Sequence, residues 1–292
     1  MKVDFHCHST ASDGTLAPRE LASAAVAGGY RALALTDHDN MDGAEELVAS
    51  AESAATTLVV GVELSIDPGA GFDRFHLLGL GVDPDNAALK GFLRRILDGR
   101  NARNARIIEN FRRLGFDMAD TIGAYSHGEV LARPHFAKWL MDRGHVASVK
   151  EGFDRYLLAD SPLETRCYEE RWHPSQEDAF AAIHGAGGIC VMAHPRYWRR
   201  EWRTTGPEYA DAERELARLK EAGLDGLECL YQANTVEENI AFTRIADRLG
   251  LLKSAGSDFH GANKPTIPLG MEVEGGFIGP LLEALGIGTG AK

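Results

Sequence analysis

Histidines and carboxylates recur along this chain at spacings that suit a metal site. His6 and His8 close a short apolar segment near the N-terminus, and Asp258 and His260 follow another near the C-terminus. In an extended strand, residues i and i+2 point to the same face, so each pair can present both side chains to one cation while Cys7 points away. One such pair is a weak signal, but the second pair makes further ligands worth seeking.

Five more side chains of this kind lie on predicted strands or just beyond their ends. With the two pairs, the candidate metal ligands are His6, His8, Asp13, His38, Glu63, His76, His194, Asp258 and His260. This set exceeds the roughly four ligands that zinc takes and the roughly six of an octahedral ion. It therefore predicts a cluster of two or three divalent metals. Imidazole and carboxylate ligands without thiolate suit manganese, iron or zinc.

A cluster of this kind favours the hydrolysis of phosphate esters. Closely spaced metals acidify a bridging water and clamp the oxygens of a phosphoryl group during in-line displacement. We therefore expect a metal-bridging hydroxide to attack phosphorus, with the candidate ligands acting catalytically through the bound metals. The pattern predicts an enzyme of the phosphatase or phosphodiesterase class.

The elements that must position these side chains follow a repeating pattern. Apolar β-branched runs alternate with amphipathic stretches, as in βα units around a parallel sheet. The predicted strands cover residues 2–6, 32–36, 57–62, 74–81, 188–193, 225–230 and 252–256, and the predicted helices cover 18–28, 42–54, 175–186, 208–222 and 235–249. Barrel enzymes build their active sites at the C-terminal ends of the strands. An α/β barrel would therefore gather the candidate ligands at one mouth.

Residues 85–165 interrupt this alternation and read as helices without a convincing strand. We expect a helical insertion here, with residues 1–84 and 166–292 forming the metal-binding barrel. Between Lys90 and Arg113 there are eight basic and two acidic residues, a local charge of +6. The segment is either a solvated helix face or a surface that guides an anionic substrate toward the barrel mouth.

The composition of the chain limits which binding partners and which cellular location are expected. The formal net charge of −12 disfavours a stable complex with long nucleic acid but permits a small phosphorylated substrate in a metal-filled pocket. No apolar run approaches the roughly 20 residues of a membrane span, so no membrane partner is expected. The four cysteines form no CxxC pair, which argues against a thiolate zinc site. No secretory signal is evident, and we expect a cytoplasmic location.

The motifs resemble those of the PHP (polymerase and histidinol phosphatase) family. The chain contains its HxH, TDHD, AHP and DxH segments, together with an SDG turn at 12–14 and a GSDFH ending at 256–260. The resemblance covers nearly the whole chain and implies a distorted (β/α)7 barrel with a trinuclear site. It makes the nine candidate side chains the metal ligands. Stand-alone members of this kind hydrolyse 3′,5′-nucleoside bisphosphates (pAp-like) or act on short RNA from its 5′ end.

The resemblance also implies substrate contacts outside the metal site. An Arg-x-His segment in the insertion, here Arg133 and His135, would hold the substrate phosphate. Arg196 follows the AHP segment, where relatives often have glycine, and begins an arginine- and aromatic-rich stretch that runs to Arg203. This stretch is either a loop that stacks bases and binds phosphate or an ordinary packed loop. Glu228 also ends a predicted strand, where it is either a partner that supports a metal ligand or an ordinary polar strand end, and we interpret it as the latter.

Three alternatives stay open on the sequence. One is a phosphatase of a small metabolite such as histidinol phosphate. Another is an amidohydrolase, a class that usually bridges its metals with a lysine; only Lys253, early in its strand, is a candidate for that position. The third is a non-catalytic, metal-stabilised binding module. The expected partner of the favoured enzyme is a nucleotide or a short oligoribonucleotide.

Overall fold

A single sheet of eight strands organises this computed structural model, which describes residues 1–50, 56–69, 73–125, 131–198 and 209–288. The strands are β1 (Lys2–Cys7), β2 (Tyr30–Leu35), β3 (Thr57–Ile66), β4 (Phe75–Leu80), β5 (Ile189–Met192), β6 (Gly226–Tyr231), β7 (Leu252–Gly256) and β8 (Met271–Glu272). Strands β1 to β7 are neighbours in chain order, and the two-residue β8 is added beside β1.

The two ends of this row of strands meet, so the barrel nearly closes. Just beyond β7, the Asp258 N–H donates to the His6 carbonyl at 2.8 Å, and the His8 N–H donates to the Phe259 carbonyl at 2.9 Å. These bonds join the end of β1 to the chain that leaves β7. The predicted (β/α)7 barrel is therefore confirmed.

The direction of β4 departs from the predicted parallel sheet, and that part of the expectation was wrong. β4 runs antiparallel to both β3 and β5. A parallel neighbour would need a crossover of about a dozen or more residues, whereas only the eight residues 67–74 separate β3 from β4. The hairpin pairs Ser65 near the end of β3 with His76 near the start of β4. His76 therefore reaches the same mouth from the beginning of its strand.

Helices surround the barrel and extend from it. They are α1 (Pro18–Ala27), α2 (Ala44–Ala49), α3 (Ala87–Arg113), α4 (Arg133–Asp142), α5 (Val149–Gly152), α6 (Gln176–Gly185), α7 (Tyr209–Ala222), α8 (Val236–Leu249) and α9 (Gly275–Ala284). Local signals set their ends: the Thr235 hydroxyl caps α8 in a capping box with Glu238, and Gly250 ends it at φ 60°. The described helices include none that combines the length and apolarity needed to cross a membrane.

Apolar residues pack on both the inner and the outer face of the barrel strands. Ala32 and Ala34 of β2 lie in an inner cluster with Ile278 and Leu281 of α9, so this last helix plugs the barrel interior. Leu33, between the two alanines, lies in a different cluster with α1 and α2. The alternation along β2 thus separates an inner from an outer face, as a half-buried strand requires.

The described residues between β4 and β5 form helices and no strand. The first half of α3 packs on the barrel through Leu89 and Leu93. Its second half enters a separate apolar cluster, in which Phe111 packs with Phe136 and Trp139 of α4. The 27-residue helix α3 therefore joins the barrel to a small core of its own.

Candidate metal centre

Glu63 is the hub of an imidazole cluster at the barrel mouth. It lies within β3 rather than beyond it, because β3 continues to Ile66 in order to pair with β4. The side chain is 1% exposed. Its Oε2 atom is 2.9 Å from His38 Nδ1, and its Oε1 atom is 2.7 Å from His76 Nδ1 and 3.1 Å from His194 Nε2.

The HxH pair of β1 lies between two carboxylates. The Nε2 atoms of His6 and His8 are 3.4 and 3.2 Å from Glu63 Oε2. The same two nitrogens are 3.6 and 3.4 Å from Asp258 Oδ1. Cys7 points away and packs in the outer cluster on α1. The i, i+2 spacing therefore directs both imidazoles to one place, as the sequence predicted.

Asp13 and His260 complete the cluster from two loops. His260 Nε2 lies 3.2 Å from Asp13 Oδ1, and His38 Nε2 lies 3.9 Å from Asp13 Oδ2. Asp37 holds the Asp13 loop in place, because its carboxylate accepts bonds from the backbone and hydroxyl of Ser9 at 2.8 and 2.6 Å. The structure thus brings all nine predicted side chains together.

The donor set fits divalent metal ions. Three groups have donor atoms that all lie within 4.8 Å of one another: His8 with Asp13, His38 and His260; His6 with His8 and Glu63; and His38 with Glu63 and His76. His6 Nε2, both ring nitrogens of His8 and Glu63 Oε2 are buried without a hydrogen-bond partner of suitable geometry. Buried polar atoms are nearly always satisfied, and cations among these atoms would supply the missing partners.

The charges of the cluster are strongly coupled. Burial disfavours the charged form of His6, but the carboxylates of Glu228 and Glu63 raise its pKa well above the usual range. Burial likewise opposes charge on His8, yet the carboxylates of Asp258 and Glu63, 3.4 and 3.2 Å from its Nε2 atom, raise its pKa to about 9. Burial would raise the pKa of Glu63, but His38 and its neighbours hold it well below the usual range. The carboxylates therefore stay ionised and attract positive charge, either protons or metal ions.

Backbone strain is concentrated at this centre. Among the described residues, the non-glycine positions with positive φ are Asp39 at 57°, His194 at 27° and Asp258 at 58°. Such conformations cost about 1–3 kcal/mol each and persist where the surrounding structure enforces them. Two of the three are candidate ligands, and Asp39 follows a third. The strain marks the chain turns that aim these side chains into the mouth.

Glu228 supports the cluster from behind, so its interpretation as an ordinary strand end was wrong. Its Oε1 atom is 3.0 Å from His6 Nδ1, and its Oε2 atom accepts the His194 N–H at 2.6 Å. A carboxylate on the outer nitrogen of a ligating histidine fixes the ring and raises its basicity. The sequence signal was a carboxylate within a predicted apolar strand, and the structure places it inside β6 rather than at its end.

Arginines line a cavity of about 370 Å³ that begins at His38 and His76. They are Arg74, Arg100, Arg103, Arg133 and Arg171. Asp39 accepts hydrogen bonds from Arg100 and from Arg171, the latter at 2.9 Å. We call this space the arginine cavity.

Arg103 differs from Arg100 and Arg171 of the arginine cavity in that its hydrogen-bond partner is a neutral amide. Its guanidinium donates to the neutral Asn104 Oδ1 at 2.7 and 3.0 Å. Burial, together with the charges of Arg100 and Arg133, lowers its pKa to about 9. A buried cation with an amide partner and cationic neighbours favours the arrival of an anion.

The three predicted substrate-binding residues have different surroundings in the structure. Arg133 lines the arginine cavity. His135 is buried beside it, but its Nδ1 accepts the Ala132 N–H at 3.0 Å, which caps the start of α4. Arg196 donates to Glu238 at 3.0 Å and to the Ala233 carbonyl at 2.8 Å. The last part of its predicted loop, residues 199–203, lies outside the described residues.

A barrel that gathers histidines and carboxylates at one mouth, beside an open cavity, is the architecture of a metal-dependent hydrolase. Comparison with known proteins gives the family. The PHP domain model matches residues 4–224, and the chain belongs to the PHP domain family.

Relatives share most of their length with this chain. It is 34% identical over 267 residues to a 3′,5′-nucleoside bisphosphate phosphatase of Chromobacterium violaceum, covering 88% of this chain and 87% of the relative. It is 33% identical over 261 residues to a 5′-3′ exoribonuclease of Haemophilus influenzae, covering 89% and 90%. A solved amidohydrolase structure from C. violaceum, with bound sulfate and no metal, superposes with a TM-score of 0.82 at 31% identity, covering 98% of this chain and 97% of that one.

Proposed function

We propose that this chain is a metal-dependent phosphoester hydrolase that acts on 3′,5′-nucleoside bisphosphates or on short RNA 5′ ends. One observation carries the proposal: the metal-ligand cluster and the arginine cavity share His38 and His76 as their common wall. A substrate with one phosphate at the cluster can therefore place a second phosphate among the arginines. The names of the two relatives, a bisphosphate phosphatase and an exoribonuclease, support this class of substrate.

We propose that the nine clustered side chains hold two or three divalent ions, of manganese, iron or zinc. Three overlapping donor groups support more than one ion, because together they contain seven side chains, more than the roughly six ligands of one octahedral ion, and the Glu63 carboxylate can bridge two ions. When bound, such metals supply the Lewis acidity that activates water and neutralises phosphoryl oxygens. The role of the nine side chains is to hold these ions at fixed spacing, and Glu228 keeps the His6 ring in position.

The arginines orient the substrate. Arg103 and Arg133 bind the phosphate that does not react, with the planar guanidinium fork that suits phosphate oxygens. Asp39 holds Arg100 and Arg171 beside them. In the reaction, a bond forms between phosphorus and the oxygen of water, and the bond from phosphorus to the ribose 3′ oxygen breaks. That oxygen keeps the electron pair and takes up a proton.

We propose a division of the chain into two parts, according to which segments carry the metal ligands and which carry the arginines. Residues 1–84 and 166–292 form the metal-binding barrel, and residues 85–165 contribute the substrate side of the cavity through α3 and α4. Arg103 and Arg133 come from these two helices. The location is proposed to be cytoplasmic, in keeping with the free cysteines Cys7, Cys167, Cys190 and Cys229.

Specific contacts disfavour the other candidate functions. Histidinol phosphate has a single phosphate and would leave the arginine cavity without an anion. An amidohydrolase of the usual kind needs a lysine between its metals, whereas Lys253 pairs with Asp247 at 2.6 Å. A purely structural metal site is closed by protein ligands, whereas this cluster opens into the arginine cavity.

A substrate panel tests the proposal. Metal-loaded protein is given adenosine 3′,5′-bisphosphate, adenosine 5′-monophosphate and histidinol phosphate, and phosphate release is measured for each. We expect the bisphosphate to have the highest kcat/KM of the three and the double variant His6→Ala, His8→Ala to be inactive. A preference for histidinol phosphate would contradict the proposed substrate. Binding of nucleotides without turnover of any ester would favour the binding module.

A further inference from the structure

A second cavity, of about 680 Å³, opens from the metal centre. Besides cluster residues, its lining includes Tyr197, Tyr231 and Lys264, and we call it the distal cavity. His38 and His76 line both this space and the arginine cavity. The two cavities therefore meet at these rings, and the metal centre lies between them.

Asp258 links the distal cavity to the cluster, because its two oxygens face different partners. Oδ1 faces the imidazoles of His6 and His8. Oδ2 accepts the Tyr231 hydroxyl at 2.9 Å and the Lys264 ammonium at 2.6 Å. Lys264 is thus a cation placed directly behind a candidate metal ligand.

Lys264 also faces the open space. Its side chain is 40% exposed, whereas that of Asp258 is 8% exposed. An ammonium has three N–H donors, and the bond to Asp258 uses one of them. The remaining donors are available to an anionic group of a substrate in the distal cavity.

Tyr197 supplies the apolar side of the same cavity. Its ring centroid is 5.8 Å from that of His194 and 6.0 Å from that of Tyr231, with the two tyrosine planes nearly perpendicular at 87°. It is half-buried, so part of its surface remains accessible. An aromatic surface next to a cation is the combination that holds a single-stranded nucleotide, with the base stacked and the backbone paired.

We propose that the distal cavity receives the nucleotide that follows the scissile phosphate, with Tyr197 stacking on its base and Lys264 binding its next phosphate. The inference rests on the proposed function, in which the arginine cavity holds the 5′ phosphate. Of the two substrate classes named in the proposed function, this subsite serves the second, a 5′-phosphorylated oligonucleotide whose scissile phosphate is a diester. Water loses a proton and adds to that phosphorus, and the bond to the upstream 3′ oxygen breaks. That oxygen keeps the electron pair and takes up a proton, and the downstream nucleotide keeps the phosphate as its new 5′ end.

Two substrates that differ only beyond the scissile phosphate provide the test. Adenosine 3′,5′-bisphosphate ends at that phosphate, whereas the 5′-phosphorylated triadenylate continues into the distal cavity. The measured quantity is the ratio of kcat/KM for the triadenylate to kcat/KM for the bisphosphate. We expect Tyr197→Ala and Lys264→Met each to lower this ratio roughly tenfold, as for loss of one stacked base or one phosphate contact. Lys253→Met is the matched control, because Lys253 makes an equally short bond to Asp247 outside both cavities.

The outcomes separate this inference from the proposed function. If wild-type protein hydrolyses the bisphosphate but not the triadenylate, the distal cavity does not take a nucleotide and only the inference fails. If Lys264→Met and Tyr197→Ala lower kcat/KM equally for both substrates and also alter the metal content, the residues act through Asp258 and the inference is again wrong. If metal-loaded wild-type protein hydrolyses neither substrate, the proposed function fails and the inference fails with it.

Discussion

Glu228 and His6 form a completely buried carboxylate–imidazole pair, with Glu228 Oε1 3.0 Å from His6 Nδ1. Because Glu228 occupies Nδ1, the opposite nitrogen of the ring is directed toward Glu63 and Asp258. The other oxygen of Glu228 holds the His194 backbone at 2.6 Å. One carboxylate therefore fixes both a candidate ligand of the first strand and the turn that presents another.

Replacement of Glu228 by glutamine should weaken metal binding. The glutamine side chain would keep the size of the glutamate but lose the charge that makes His6 a stronger ligand, and such changes typically reduce affinity about 10–100-fold. Competition with a chelator would measure the affinity, and Glu215→Gln, a change at a buried glutamate of α7, is the control. Unchanged affinity in Glu228→Gln would show that the pair does not support the metal centre.

Gly256 leaves the space that this pair needs. A Cβ atom at this position would collide with Glu228 Oε1 and His6 Cβ. We expect Gly256→Ala to displace the pair, lower the metal content and destabilise the fold by about 1–3 kcal/mol, the usual penalty of overpacking. Gly185→Ala, where the added atom meets nothing within 4 Å, is the control. Denaturant unfolding and metal analysis would check both effects, and full metal occupancy in Gly256→Ala would refute the first.

Arg103 should affect substrate affinity without a matching loss of stability. Its buried charge has only the neutral Asn104 as a hydrogen-bond partner among the described residues, so Arg103→Met removes a poorly compensated cation. We expect KM for adenosine 3′,5′-bisphosphate to rise roughly tenfold or more, the effect of one charged hydrogen bond. The melting temperature should stay the same or rise. A lower melting temperature with unchanged KM would indicate a structural role instead.

Arg196 should be structural. Its guanidinium pairs with Glu238 and the Ala233 carbonyl, which ties the turn after β5 to the start of α8. We expect Arg196→Met to change KM for the bisphosphate less than about twofold, and to cost stability on the order of 1 kcal/mol for a partly exposed pair. Steady-state kinetics and thermal unfolding would measure the two. A large rise in KM with unchanged stability would restore the substrate contact predicted from the sequence.

The sequence predicts that these nine side chains gather at one mouth because most of them are marked by a local signal. The HxH and DxH pairs need only the alternation of a strand, and His38 and His194 need only the end of one. His76 carries no such mark, since it begins an antiparallel strand whose direction depends on the short hairpin after β3. The sequence places it on a predicted strand, and the resemblance to a family adds it to the implied ligand set.

The arginine cavity is harder to predict because it depends on contacts between distant parts of the chain. The basic stretch from Lys90 to Arg113 can be read from the sequence, but the sequence does not show which of its side chains face the site. Two of its arginines, Arg100 and Arg103, turn inward, while Arg112 bonds Glu109 on the surface. Arg171 joins them from beyond the insertion through Asp39. Only the packing of α3 on the barrel decides which charges face the site.

We propose that the histidine–carboxylate cluster holds the metals with which this chain hydrolyses a nucleotide phosphate. The most direct test measures metal content and phosphate release from adenosine 3′,5′-bisphosphate on the same samples, before chelation, after chelation and desalting, and after metal is restored. We predict two or three bound metal ions per chain, loss of activity with loss of metal, and recovery on reloading. Undiminished hydrolysis by protein shown to be free of metal would mean that the reaction does not depend on metals held by the cluster.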